Sequence, residues 1–188
     1  MFRKTVAEGI ELKLLQTSEA DALYALVDRN RERLRRWLPW VEQTRSPEDV
    51  RAFIRRVLDQ YHSNLGPQTG VWVNGSLSGT LGCHPIDWSN RNCSLGYWLD
   101  TGYEGKGVMT RCCAAMLDYI FNELKLHRAE VRCGVENFRS CAIPKRLGFT
   151  REGVVRQAEW VSGRWIDLVV WGLLADDWGV VSRKDRKV

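Results

Sequence analysis

The sequence predicts a mixed α+β domain on one central sheet, and three observations predict it. Short runs with strand-like alternation, such as Ile10-Glu11-Leu12-Lys13-Leu14, are interspersed with stretches whose apolar residues recur at helical spacing. The pairs Asn74-Gly75 and Ser162-Gly163 each join two strand-like runs through a tight turn of positive φ, the signature of a hairpin. The elements run in the order strand, two or three helices, a three-strand meander, helix, strand, helix and a closing hairpin. That order suits helices layered on a single sheet.

Each element has a local reason. Ile10–Leu14 reads as the first strand because apolar and polar residues alternate. Thr17-Ser18-Glu19-Ala20-Asp21 opens a helix with a hydroxyl cap and first-turn acids. Ala22, Leu23, Leu26 and Val27 supply its apolar stripe, the helical signal continues to Trp37, and Pro39 closes it. Ser46-Pro47-Glu48-Asp49 starts a second helix, with Phe53, Ile54, Val57, Leu58 and Tyr61 on its inner face. Strands follow at Gly70–Val73, Leu77–Gly82 and Cys93–Leu99. A long helix runs from Val108 to about Leu124. Arg128–Val135 is a strand, and Asn137–Leu147 a short helix ended by Gly148. Phe149–Glu152, Gln157–Val161 and Trp165–Leu174 are the last strands.

At 188 residues the chain fits one domain, expected over 1–178, with a basic and flexible C-terminal tail at 179–188. Hydrophobic residues make up 44% and charged residues 27%, which allows a sizeable core. Nine tryptophans are more than a closed core of this size needs, so some are expected along a groove or an interface. The formal charge of +5 favours anionic partners without choosing among them. Much of it sits in Asp28-Arg29-Asn30-Arg31-Glu32-Arg33-Leu34-Arg35-Arg36, read as a solvated helix face. The six cysteines form no C-x-x-C pair and have no histidine at a zinc-ligand spacing. They read as reduced, mostly buried thiols of a cytoplasmic protein, with no metal site. No run approaches the ~18 apolar residues of a membrane span, and the N-terminus does not read as a signal peptide. His62, His84 and His127 show no catalytic partner in sequence.

The informative segment is the strand, loop and helix at 93–124. Gly105 and Gly107 let the backbone turn tightly and approach a ligand closely. The helix behind them presents unpaired N–H groups and the positive end of its dipole, which suits a phosphate. The loop lacks the terminal G-K-[ST] of a Walker loop and the third glycine of a dinucleotide fingerprint.

Leu95-Gly96-Tyr97-Trp98-Leu99-Asp100 with Tyr103-Glu104-Gly105-Lys106-Gly107-Val108-Met109-Thr110 resembles motif A of the GNAT N-acetyltransferases. Val135-Glu136-Asn137-Phe138-Arg139-Ser140 with Lys145-Arg146-Leu147-Gly148-Phe149 resembles their motif B. Arg156-Gln157-Ala158-Glu159-Trp160 is similar to the RimL branch, and the RimJ/RimL-like group looks close over about residues 8–178. The resemblance implies a mostly antiparallel, mixed sheet of about seven strands, splayed open and flanked by about four to five helices. It implies acetyl-CoA as co-substrate and a primary amine as acceptor, in the RimL branch the N-terminal amine of an acidic ribosomal protein. It lays pantetheine along the strand at Tyr97, Trp98 and Leu99, and diphosphate on the amides from Gly105 through Lys106, Gly107, Val108 and Met109 to Thr110. Asn137 then bonds pantetheine, and Ser140 sits near the sulfur. Dimers are common among similar proteins, and exposed tryptophans would suit such an interface. Two departures stand out: Glu104 occupies a place usually held by Gln or Arg, and Met109 one often held by Gly or Ala. A carboxylate beside a diphosphate repels it, so Glu104, counted with the cofactor-binding loop, either points away or weakens binding.

Acetyl transfer needs an amine in its free-base form. An α-amine, with a pKa of about 8, needs only a carboxylate that relays one proton, whereas a lysine amine near about 10.4 needs more help. Glu159 is the candidate base, through water. The backbone N–H of Leu99 is the candidate oxyanion donor. Ser140 is the candidate donor to the leaving thiolate. Direct transfer requires no cysteine nucleophile. Each role has a structural alternative that stays open: Asn137 as a helix cap, Ser140 as a first-turn residue, Glu159 as an exposed strand residue. By strand alternation, one of Tyr97 and Trp98 points into the core. Two other functions also stay open: acetylation of a small amine, and a CoA- or nucleic-acid-binding module without catalysis. No recognition-helix pattern supports nucleic acid.

Overall fold

Tight turns set the strand pairing. A computed structural model describes residues 2–184. Its first hairpin joins β1 (Arg3–Ala7) to β2 (Ile10–Leu14) through Gly9 at φ 69°. β1 was not expected. Arg3-Lys4-Thr5-Val6-Ala7 lacks alternation because it is an edge strand, and most of its residues keep some contact with solvent.

A 3₁₀ turn at Thr17–Glu19 leads into α1 (Ala20–Arg29), and α2 (Arg31–Leu34) follows. The helix expected to run unbroken to Trp37 is therefore interrupted at Asn30. This asparagine is buried, and its side chain is drawn to residues about 70 positions away. Pro39 begins a 3₁₀ turn, Pro39–Glu42. α3 (Pro47–His62) starts as expected, with the Ser46 hydroxyl accepting from the Asp49 N–H and Pro47 at the first position.

β3 (Gln68–Val73) and β4 (Ser76–Cys83) are joined by Asn74-Gly75, both at positive φ. β5 (Asn92–Leu99) completes the meander. α4 (Val108–Asp118) continues as a π turn over Tyr119–Glu123. β6 (Arg128–Gly134) and α5 (Phe138–Arg146) come next. β7 (Thr150–Val161) joins the two short strands expected there into one, with bulges along it. β8 (Arg164–Leu174) returns through Ser162-Gly163. α6 (Ala175–Lys184) begins with Asp176 and Asp177 in its first turn, so the boundary expected at 178 falls inside a helix. Residues 185–188 of the expected tail lie outside the described residues.

The eight strands form one sheet in the order β1-β2-β3-β4-β5-β6-β8-β7. Every pair is antiparallel except β5 with β6. That parallel pair is short, from Asn92/Arg128 to Leu95/Val131. Beyond it β5 keeps only β4 and β6 keeps only β8, so the sheet splits open in its middle. Each face carries its own core. α4 packs Val108, Met109, Cys112, Cys113, Met116 and Leu117 against one face. On the other, α1 and α3 pack Leu23, Leu26, Val27 and Ile54 with Trp98. All six cysteines are free, and five of them are buried.

Candidate active site

Alternation along β5 aims the backbone at the split. The Asp100 N–H donates to the Ser78 carbonyl at 2.7 Å, and Trp98 lies opposite Thr80. Even-numbered residues at this end therefore spend their backbone groups on β4, and the N–H and C=O of Tyr97 and Leu99 face the opening. The Leu99 N–H, the candidate oxyanion donor, is thus turned toward the opening. The side chains alternate too. Trp98 turns to the helical face of α1 and α3 and lies 6.3 Å from Trp40, ring centroid to centroid. It is the one of the pair that points into the core, as alternation expects. Tyr97 is the residue on the α5 side: its hydroxyl donates to the Ser140 carbonyl at 3.0 Å. Burial pushes the Tyr97 phenol well above its ordinary range, so it stays a neutral donor.

The loop ends where the sequence places it. Gly105 and Gly107 have φ of 73° and 71°, and an added Cβ at either would meet nothing within 4 Å. Left-handed backbone, not crowding, is the reason for glycine here. α4 begins at Val108 with no side-chain cap. The side chains of Val108 and Met109 are buried in the core, so these residues offer a ligand only their backbone. The N–H groups of Val108, Met109 and Thr110 point out of an uncapped first turn. Lys106 folds back, its Nζ donating to the Gly102 carbonyl at 2.8 Å.

Glu104 is engaged by two arginines that were not foreseen. Its Oε1 accepts from Arg33 Nη1 at 2.6 Å and its Oε2 from Arg139 Nη1 at 2.5 Å. Arg33 Nη2 also donates to the Leu99 carbonyl at 2.6 Å. One guanidinium thus ties α2 to both the rim of the split and the start of the loop. Beside it, Asn30 donates to Leu26 O and Asp100 Oδ1 and accepts from the Thr101 hydroxyl. Burial tends to raise the Asp100 carboxyl, but hydrogen bonds from Arg29 and Asn30 outweigh it and hold the group below its ordinary range.

These contacts qualify the reading of 28–36 as a solvated helix face: Asp28, Arg29, Glu32 and Arg36 are exposed, but several of the arginines have partners elsewhere in the chain. Arg29 pairs with Asp100 at 2.6 Å. Arg31 bonds the Val41 and Thr44 carbonyls. Arg33 holds Glu104 and Leu99, and Arg35 meets Glu32 and Glu42. After the break at Asn30, Arg31 and Arg33 are half-buried and fasten one segment to another.

Asn137 caps α5, its Oδ1 accepting from the Ser140 N–H at 3.3 Å. Its Nδ2 donates to no protein acceptor among the described residues. Ser140 Oγ lies 3.5 Å from the Tyr97 hydroxyl, a contact at the limit of a hydrogen bond that leaves the proton available. Cys141, beside it, has its Sγ 2.8 Å from Cys133 Sγ, and burial pushes the Cys133 thiol far up. His84 is packed near Gly96, with burial lowering its pKa.

Glu159 sits on edge strand β7, opposite Ile166. Three residues, Arg156-Gln157-Ala158, bulge out between the pairs Val155/Leu168 and Glu159/Ile166. The Gln157 N–H donates to Asp167 Oδ1 at 2.8 Å, with Gln157 at φ 48°. No hydrogen bond joins Glu159 to Ser140 or Tyr97. Burial raises its pKa, and no cation among the described residues pairs with it.

Arg35, Pro39, Glu42, Trp160, Ser162 and Gly163 line an open groove. The Ser162 hydroxyl ties the hairpin to the Arg35 carbonyl at 2.7 Å. Trp160 and Trp165 form an exposed edge-to-face pair, centroids 5.1 Å apart. Trp37 packs near Gly134, at the open end of β6, with Arg164 over its ring.

Residues 10–150 match the family model described as the acetyltransferase (GNAT) domain. The chain belongs to the GNAT acetyltransferases. It is 37% identical over 182 residues to the putative ribosomal N-acetyltransferase YdaF of Bacillus subtilis, covering 95% of this chain and 98% of that protein. It is 25% identical over 171 residues to the ribosomal-protein-serine acetyltransferase of Escherichia coli, covering 91% of this chain and 96% of that one. Among solved structures, a ribosomal alpha-N-protein acetyltransferase, RimL, in complex with coenzyme A superposes with a TM-score of 0.90. That pair is 26% identical and covers 94% of this chain and 99% of the other. The fold of this GNAT acetyltransferase is thus shared with a protein solved in complex with coenzyme A. Among the described residues no group of His, Cys, Asp and Glu is placed to hold a metal, and no helix is long and apolar enough to cross a membrane.

Proposed function

We propose that this acetyltransferase moves the acetyl group of acetyl-CoA directly to the N-terminal α-amine of a protein of the ribosomal type. One observation carries the cofactor half of that reading: α4 begins uncapped behind two glycines of positive φ, at the open end of β5. Amides there are oriented for a diphosphate. The opening between β5 and β6 has the backbone groups of Tyr97 and Leu99 along its rim, which suits the amide-bearing pantetheine arm. The relatives named for ribosomal proteins support the acceptor class. The groove beside Trp160 admits a chain end. An acidic N-terminus is the version of this acceptor favoured by the net charge of +5. The same reading places the protein in the cytoplasm.

The residues divide the chemistry in a defined way. The amine nitrogen bonds to the acetyl carbon, and the Leu99 N–H stabilises the negative charge that builds on the acyl oxygen. Glu159 takes the amine's proton through water, and burial, which raises its carboxyl, makes it a stronger base than an exposed carboxylate. The carbon–sulfur bond breaks, and Ser140 donates to the departing sulfur. Tyr97 holds Ser140 in place through its carbonyl.

The test is thiol release from acetyl-CoA with two sets of acceptors, peptides with free N-termini from ribosomal proteins and a panel of small amines. Mass spectrometry then locates the acetyl group. Acetylation at the peptide α-amine, with small amines poor competitors, supports the reading. Efficient use of small amines with no peptide product overturns the acceptor half.

A further inference from the structure

Glu104 is the one anion at the start of a loop read as a diphosphate site, and simple electrostatics makes it a liability there. Its geometry says otherwise. Both carboxylate oxygens are used, one by Arg33 and one by Arg139. The carboxylate's side chain is 21% exposed, while that of Arg139 is 81% exposed. Arg139 makes no other hydrogen bond among the described residues, so Glu104 alone fixes where its guanidinium lies. Arg33 is also anchored on Leu99 and Asn30. Two guanidiniums thus share one carboxylate, so this cluster carries a net positive charge.

We propose that Glu104 is a positioning residue for the cofactor: it holds the Arg139 and Arg33 guanidiniums at the mouth of the 105–110 loop, where they face the cofactor's anionic linker. An exposed arginine samples many rotamers, and ordering one costs side-chain entropy. A carboxylate that restrains Arg139 in advance spares that cost at the moment of binding. The sign of its effect is therefore opposite to that of a bare charge beside a diphosphate. The inference rests on the reading that the loop grips the diphosphate.

The experiment is calorimetric titration of coenzyme A into the wild-type protein, Glu104→Gln, Arg139→Ala and the double variant, each checked for an unchanged fold by circular dichroism. Steady-state KM for acetyl-CoA and for acetyl-pantetheine, which lacks the diphosphate, is measured alongside. Glu104→Gln and Arg139→Ala are each expected to weaken coenzyme A binding by roughly tenfold. The double variant is expected to be no weaker than Arg139→Ala alone, and the kcat at saturating acetyl-CoA to stay within about twofold of wild type. With acetyl-pantetheine the variants and wild type are expected to match. Binding by Glu104→Gln as tight as, or tighter than, wild type overturns the proposal, as does an equal loss with acetyl-pantetheine. If Glu104→Gln does not fold, Arg139→Ala decides alone: wild-type affinity in it rejects the role. Failure of the wild-type protein to bind coenzyme A would reject the cofactor reading itself, a different outcome.

Discussion

Asp167 accepts a hydrogen bond from the backbone N–H of Gln157 at 2.8 Å, and this bond pins the three-residue bulge that precedes Glu159. The bulge sets where Glu159 stands on its strand. Replacing Asp167 with Ala removes the acceptor from a left-handed backbone position. A stability loss of about 1 kcal/mol is expected. Turnover is expected to fall roughly tenfold through misplacement of the base, with the KM for acetyl-CoA unchanged. Chemical denaturation and steady-state kinetics measure the two effects. Wild-type kcat in a folded Asp167→Ala protein would show that the bulge does not serve catalysis.

Glu159 gives a pH signature. Its carboxyl is raised by burial, so the base form is gained only as pH passes above the ordinary carboxylate range. The acid limb of kcat/KM is expected to follow that raised value. Glu159→Gln is expected to lose this limb and about 100-fold in kcat/KM. Stability moves the other way. A pKa higher in the folded state than in the unfolded one means that folding favours the protonated carboxyl, so the folded form loses stability as pH rises through the unfolded and then the folded value. At pH 7 Glu159→Gln is therefore expected to melt above wild type. An unchanged pH profile would remove Glu159 as the base.

Asn30 carries a heavier structural load. It is buried and bonds Leu26, Asp100, Thr101 and Arg33. Asn30→Ala leaves several of those groups unsatisfied at once, and a loss of about 2–3 kcal/mol is expected in urea denaturation. The same substitution releases the clamp between α2 and the end of β5, so KM for acetyl-CoA is expected to rise as well.

Gly107 separates strain from contact. No atom would clash with a Cβ there, so Gly107→Ala is opposed only by its φ of 71°. The cost is expected to be about 1–2 kcal/mol, with a raised KM for acetyl-CoA as the first turn of α4 shifts. Gly107→Asn is expected to recover part of the loss, because Asn tolerates left-handed backbone. Equal damage from both would point to the side chain's bulk.

The legible parts of this protein are those written in local chemistry. Asn74-Gly75, Ser162-Gly163 and Gly105/Gly107 announce positive φ, and each turn lies where it was read. Trp98 and Tyr97 divide between the faces as strand alternation requires. The hidden parts are pairings across long stretches of chain. Nothing near Asn30 signals that Asp100 and Thr101 will interrupt a helical run. Glu104 looked out of place in its loop because Arg33 and Arg139 are distant in sequence. The bulge before Glu159 depends on Asp167, ten residues away on the neighbouring strand. β1 escaped notice because an edge strand open to solvent need not alternate.

The parting of β5 from β6 after Leu95 and Val131 places two bare sheet rims inside the molecule rather than on its perimeter. Rims of this kind ordinarily invite a neighbouring chain, with clumping as the result. Here the invitation is issued inward, to a guest no thicker than a single extended chain. A protein built this way is finished only when its guest arrives, so its resistance to heat should track how much of that guest the cell can supply.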